Sequence, residues 1–272
     1  MENTWPRLLG LLTLVLTAFV PNGPVMGADD DDVADVPSTD LSVANDANKR
    51  YFLIGDKPDA PESKSPRPLL IVLPGGDGSA DFHPFVKRIY RNALPARYLV
   101  AQLVAPKWDP GQQIVWPTQK SPVKGQKFTT EQFVADVIDE VRSKYSVDES
   151  RVFTLSWSSG GPAGYAVSLA ADTRVHGSFI AMSVYKPSFL PPLERAKGHA
   201  YFLLHSPQDQ VCPYAMARAA SLALANKGAA TKLVDYSGGH GWRGDVFGNL
   251  RQGIEWLEQN AQARATTKPS AK

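Results

Sequence analysis

The 272-residue sequence contains a single cysteine, Cys212, so no disulfide can form within it and stability must come from a hydrophobic core. It also has no apolar run long enough to cross a bilayer. The longest, Leu8 to Val20, is 13 residues, where roughly 20 are needed. Arginines are nowhere clustered among aromatics in the way that marks a nucleic-acid surface. There is no internal repeat, and no G-x-x-x-x-G-K-[ST] loop to cradle a phosphate. A cysteine nucleophile is excluded too: Cys212 does not sit on a strand-to-helix elbow and reads as a small packing residue.

What is present is unevenly distributed. Residues 1–28 carry the apolar run, with Arg7 before it and small residues after it, the layout of a signal peptide cleaved near Gly27 or Ala28. That predicts a secreted or periplasmic protein with no stable membrane insertion after cleavage. Residues 29–46 then hold seven aspartates and no lysine or arginine, whereas residues 47–272 hold 28 basic and 19 acidic side chains. The acidic stretch reads as a disordered leader over 29–49, and the basic excess as lysines dispersed over a solvated face. A single domain over 50–262 and a disordered tail over 263–272 complete the expected organisation.

Within the domain, short apolar runs near 51–54, 69–73, 98–104, 151–155, 177–183, 200–205 and 231–236 alternate with amphipathic segments near 84–94, 129–145, 159–171, 213–227 and 246–262. This alternation predicts an α/β fold, a mostly parallel sheet covered by helices on both faces. The clearest helix opens on T-T-E-Q, where Thr129 and Gln132 form a capping box, and runs Val134, Val137, Ile138, Val141 and Tyr145 down one face.

That helix leads into R-V-F-T-L-S-W-S-S-G-G, residues 151–161, a β-rich run that ends on a serine among small residues. A hydroxyl at the tip of such a turn is exposed, strained and close to backbone N–H groups that can hold an oxyanion. Ser158 is the candidate nucleophile. Ser156 stands where the familiar G-x-S-x-G pattern has its first glycine. Two later segments supply partners: Y-F-L-L-H-S-P-Q-D presents Asp209 in a loop after a strand, and K-L-V-D-Y-S-G-G-H-G-W presents His240 between glycines. His205 precedes the acid loop inside an apolar run and reads as a satisfied strand-end residue, while His83, His176 and His199 lack the glycine setting of His240.

The order Ser158, Asp209, His240, each just past a strand, resembles the α/β-hydrolase family over about residues 50–262. The resemblance implies that His240 serves Ser158 as general base and then general acid, that Asp209 orients the imidazole, and that no metal or organic cofactor is needed. It implies one oxyanion donor at Ser159 and a second in L-L-I-V-L-P-G-G-D-G-S, at Gly76 with Asp77 as the near alternative, although Pro74 occupies the place of a histidine found in many relatives. The run V-D-x-x-R-V-x-x-x-S-x-S-x-G-G at 147–161 is similar to polyhydroxyalkanoate depolymerases, feruloyl esterases and phospholipase/carboxylesterases.

Only 51 positions separate Ser158 from Asp209 and 31 separate Asp209 from His240, which leaves no room for a large lid and predicts an open site. Trp108, Trp116, Trp157 and Trp242, with Tyr185 and Phe189, are expected to line an aromatic cleft suited to aryl or sugar groups. The expected activity is cleavage of a small-molecule or polysaccharide-linked ester through an acyl-enzyme, with no nucleic-acid partner. Two alternatives use the same fold: a peptidase of the prolyl oligopeptidase type, for which an N-terminal gating domain is missing, and a non-catalytic binding protein, which Ser156 and Pro74 would favour.

Overall fold

The computed structural model describes residues 30–56 and 65–267. Its centre is one eight-stranded sheet. The strands are β1 (Ser38–Ser42), β2 (Arg50–Ile54), β3 (Arg67–Leu73), β4 (Leu99–Leu103), β5 (Val147–Trp157), β6 (Gly177–Ala181), β7 (Ala200–His205) and β8 (Ala230–Asp235). They lie in the order β1-β2-β4-β3-β5-β6-β7-β8. From β4 to β8 every neighbouring pair is parallel; β1 and β2 form an antiparallel edge against β4. Five helices connect and cover the strands: α1 (His83–Ala93), α2 (Thr130–Lys144), α3 (Gly161–Ser168), α4 (Tyr214–Ala225) and α5 (Val246–Thr267).

The sheet is buried on both faces because its strands are apolar at nearly every position. Along β3 the period-two alternation of a strand sends Leu70 and Val72 to the face covered by α1 and α5, and Leu69, Ile71 and Leu73 to the face covered by α2 and α3. α2 starts where its capping box is: Thr129 Oγ1 accepts from the backbone N–H of Gln132, whose side chain accepts from the N–H of Thr129 in return. Its face of Phe133, Val134, Val137, Ile138 and Val141 is buried.

The acidic leader departs from expectation. Instead of being disordered over 29–49 it is ordered from residue 30, because its carboxylates find cations and its two valines find the core. Asp32 makes a two-pronged ion pair with Arg88 of α1 at 2.7–3.1 Å, Asp35 pairs with Arg91, and Asp40 pairs with Arg50 at 2.7 Å. Val33 and Val36 are buried beside α1, and β1 hydrogen-bonds to β2. The domain therefore begins before residue 50. At the other end α5 continues past 262 to Thr267, so the expected tail is helical up to that residue. β6 stops at Ala181 rather than 183, since Met182 takes a left-handed backbone (φ 39°). The expected signal peptide at 1–28 lies outside the described residues, among which no helix is long and apolar enough to cross a membrane.

Candidate active site

Parallel strands send all their C-terminal ends to one edge of the sheet, and three reactive side chains meet there. β5 ends on Trp157, and the next residue, Ser158, turns the chain into α3 with a φ of 50°. That is a strained conformation for a residue bearing a Cβ. The Ser158 hydroxyl lies 3.0 Å from His240 Nε2, and His240 Nδ1 lies 2.9 Å from Asp209 Oδ2. His240 donates from Nδ1 to the carboxylate, which leaves Nε2 to accept the serine proton.

Each partner is held from behind. Asp209 Oδ1 accepts the backbone N–H groups of Val211 and Cys212, both at 2.8 Å, so the buried carboxylate is fixed in plane. Gly239 and Gly241, either side of His240, have φ of 81° and 106°, which glycine adopts without steric cost. The loop is pinned by Gly239 N–H to the Ser206 hydroxyl (3.1 Å) and by the Tyr236 hydroxyl to the Gly239 carbonyl (3.0 Å). Ser206 thereby ties the acid loop to the histidine loop.

Ser156 fits where glycine is usual because space has been made opposite it. It is fully buried, and a Cβ built on Gly164 of α3 would lie 2.3 Å from its Oγ. Pro74 is accommodated as well, its carbonyl accepting the Trp116 indole N–H at 2.8 Å. Neither departure from the family pattern disturbs the relay. Ser159 and Gly76 are brought together across the mouth of the elbow, the Ser159 hydroxyl donating to the Gly76 carbonyl at 2.7 Å. Asp77 caps its own turn through the N–H of Ser79 at 3.0 Å.

Two of the four tryptophans expected to line a cleft are buried instead. Trp116 and Trp157 are 2% and 4% exposed and belong to the two main cores. Trp242 is partly buried against Trp157 and Phe85, each 5.7 Å away between ring centres, and Trp108 meets Phe128 edge-on at 4.8 Å. Tyr185 is buried against Tyr165, and only Phe189 is largely exposed. Large flat side chains here anchor long loops to the sheet by burying area that the short strands cannot cover.

Two residues near the relay had no distinguishing signal in the sequence. His205 is 2% exposed; its Nε2 lies 2.7 Å from the Cys212 carbonyl and 3.3 Å from Asp209 Oδ2. Two oxygens near one nitrogen require that nitrogen to carry a proton, which it donates to the Cys212 carbonyl beside the Asp209 carboxylate. The four-residue spacing from His205 to Asp209 is its only trace in the sequence. The other is Ser183, whose hydroxyl donates to the Ser158 carbonyl at 2.8 Å. Asp209, Cys212 and His240 also place potential metal-ligand atoms within 4.8 Å of one another. Burial and then the charge of Asp209 push the Cys212 thiol up to about 12, so it stays protonated at neutral pH.

No family model matches the sequence. Solved structures do resemble it. One of two fungal esterases from Rhizomucor miehei superposes with a TM-score of 0.66 at 14% identity, over 90% of this chain and 88% of its own. MGS-M1, an α/β hydrolase enzyme from a Medee basin deep-sea metagenome library, gives 0.61 at 11% identity, over 84% and 98%. Thermogutta terrifontis esterase 2 phosphoramylated by tabun gives 0.59 at 13% identity, over 86% and 97%. At such identities the likeness is one of architecture: the chain has an α/β-hydrolase fold.

Proposed function

We propose that this chain is an exported serine hydrolase that cleaves carboxylic esters through an acyl-enzyme on Ser158. The observation that carries the reading is the continuous relay from Ser158 Oγ to His240 Nε2 (3.0 Å) and from His240 Nδ1 to Asp209 Oδ2 (2.9 Å). As Ser158 Oγ attacks the ester carbonyl carbon, His240 Nε2 takes its proton and Asp209 steadies the imidazolium. The oxyanion is held by the N–H of Ser159 and that of Gly76 or Asp77. Collapse of the tetrahedral intermediate breaks the bond to the alcohol oxygen, which leaves with the proton from His240. Water then gives a proton to His240 and attacks the acyl-enzyme, and Ser158 departs with that proton, releasing the acid.

The esterases among the structural neighbours support an ester over an amide. The connection from Ser158 to Asp209 holds α3, β6, β7 and three short 3-10 turns but no lid, so an acyl group carried on a larger molecule, such as a polysaccharide, can reach the serine as readily as a small ester. Export rests on the signal-peptide layout of residues 1–28. Cleavage near 27 or 28 would leave intact the segment that buries Val33 and Val36.

The test is hydrolysis of p-nitrophenyl esters from acetate to octanoate by the mature chain beside Ser158→Ala and His240→Ala. Both variants should lose on the order of 10⁴-fold or more in kcat, and a fluorophosphonate should label wild type but not Ser158→Ala. A wild type that neither turns over any ester nor takes the label would refute the reading.

A further inference from the structure

We infer that Ser183, through its hydrogen bond to the Ser158 carbonyl, is a positioning residue that aims the Ser159 N–H into the oxyanion hole, with the Ser159 hydroxyl doing the same for the donor across the elbow. The inference rests on the hydrolase reading above and concerns how the donors of that site are held.

A trans peptide unit is planar, with its C=O and N–H pointing in opposite directions. Whatever holds the carbonyl of residue 158 therefore orients the N–H of residue 159. The Ser158 carbonyl accepts two bonds, from the Gly161 N–H and from the Ser183 hydroxyl at 2.8 Å. Ser183 is 3% exposed, and the next carbonyl within its reach, that of Val184, is at 3.5 Å. The backbone that presents it is itself fixed: Met182 has a φ of 39° and donates its N–H to Leu204 at 2.8 Å. Space for the hydroxyl exists because residue 161 is glycine; a Cβ there would lie 2.0 Å from Ser183 Oγ. A strained residue, a buried hydroxyl and a missing side chain thus converge on one peptide unit.

The same rule applies to the facing loop. The Gly75 carbonyl accepts from the Gly78 N–H at 2.9 Å, which aims the N–H of Gly76, and the Gly76 carbonyl accepts from the Ser159 hydroxyl at 2.7 Å, which aims the N–H of Asp77. Whichever of these serves as second donor, its peptide is anchored from the far side. Ser159 joins the two halves, giving one donor from its backbone and fixing the other half with its side chain. A bond accepted at the carbonyl also polarises the peptide and strengthens its N–H as a donor. Donors already aimed need no reorganisation when the oxyanion forms.

Ser183→Ala and Ser159→Ala in the full chain, assayed on p-nitrophenyl butyrate and with a trifluoromethyl ketone that forms a hemiketal on the nucleophile, test this. Loss of a whole oxyanion donor costs about 10²–10³ in kcat; a donor kept but less well aimed should cost about tenfold. The expected result is that kcat falls by that factor in Ser183→Ala, and in Ser159→Ala where Asp77 is the second donor, while KM stays within about twofold, and that the ketone weakens in parallel with kcat/KM. Unchanged kcat in both variants, or kcat and KM moving together with the ketone unaffected, would overturn the inference. Should Ser183→Ala fail to fold, Ser183→Cys, which keeps the volume and weakens the donor, takes its place. An inactive wild type defeats the hydrolase reading and this one with it; an active wild type with unaltered variants defeats only this one.

Discussion

Replacing Gly164 by alanine should destabilise the protein in the presence of Ser156 and cease to do so in its absence. The new Cβ would lie 2.3 Å from Ser156 Oγ, 3.1 Å from its Cβ and 3.8 Å from Ile180 Cγ1, at a site with no solvent to yield into. Overpacking of this kind costs about 1–3 kcal/mol, against which alanine regains roughly 1 kcal/mol of helix propensity over glycine. Gly164→Ala alone should therefore lose up to about 2 kcal/mol, and α3 should shift at the turn that carries Ser158, lowering the rate of fluorophosphonate labelling. Ser156→Gly alone should be close to neutral: it weakens a strand by about 0.5–1 kcal/mol but removes a fully buried hydroxyl that has no hydrogen-bond partner. In the double variant the clash is gone and the helix gain remains, so the cycle should show a coupling of about 2 kcal/mol. Urea denaturation of the four proteins measures it, the midpoint shifting at constant slope. Additive losses would show that Gly164 does not make the room in which Ser156 replaces the usual glycine.

Two further outcomes are expected. His205→Leu leaves the buried Cys212 carbonyl without its donor, at the residue whose N–H holds Asp209 Oδ1, so kcat should fall about tenfold, with recovery in His205→Gln. An unchanged kcat would leave His205 a packing residue only. The Cys212 thiol, raised from 9.0 to about 12 by burial and then by Asp209, keeps a proton in the native state that the unfolded chain gives up between those values. Its contribution to stability is complete below pH 9 and is lost as pH rises toward 12, by up to about 1.4 kcal/mol per pH unit. Cys212→Ala should flatten that alkaline decline relative to wild type, and iodoacetamide at pH 8 should modify the urea-unfolded chain much faster than the native one.

The elements that could be read in advance are those whose signal is local. A capping box starts α2 at Thr130 because Thr129 and Gln132 satisfy each other's backbone donors wherever that pair occurs. Apolar runs became strands buried on both faces, and the strand that ends on a serine among small residues became the elbow. Aspartate and histidine placed just beyond later strands came to the same edge, since parallel strands present all their C-terminal ends on one side.

What the sequence could not disclose depends on partners distant along the chain. The aspartates of the leader look like a solvated tail until Arg88 and Arg91, more than fifty residues on, are set beside them on α1. Tryptophans in long loops suggest a cleft until the sheet gives them a buried face to cover. Ser183 is an ordinary serine by any local measure; only the packing of β6 against β5 brings its hydroxyl to the Ser158 carbonyl. Composition, periodicity and motif order thus determined the kind of fold and the order of the reactive residues. The tertiary structure alone decided which groups aim them, because aiming is a matter of a few tenths of an ångström between atoms that sequence distance does not relate.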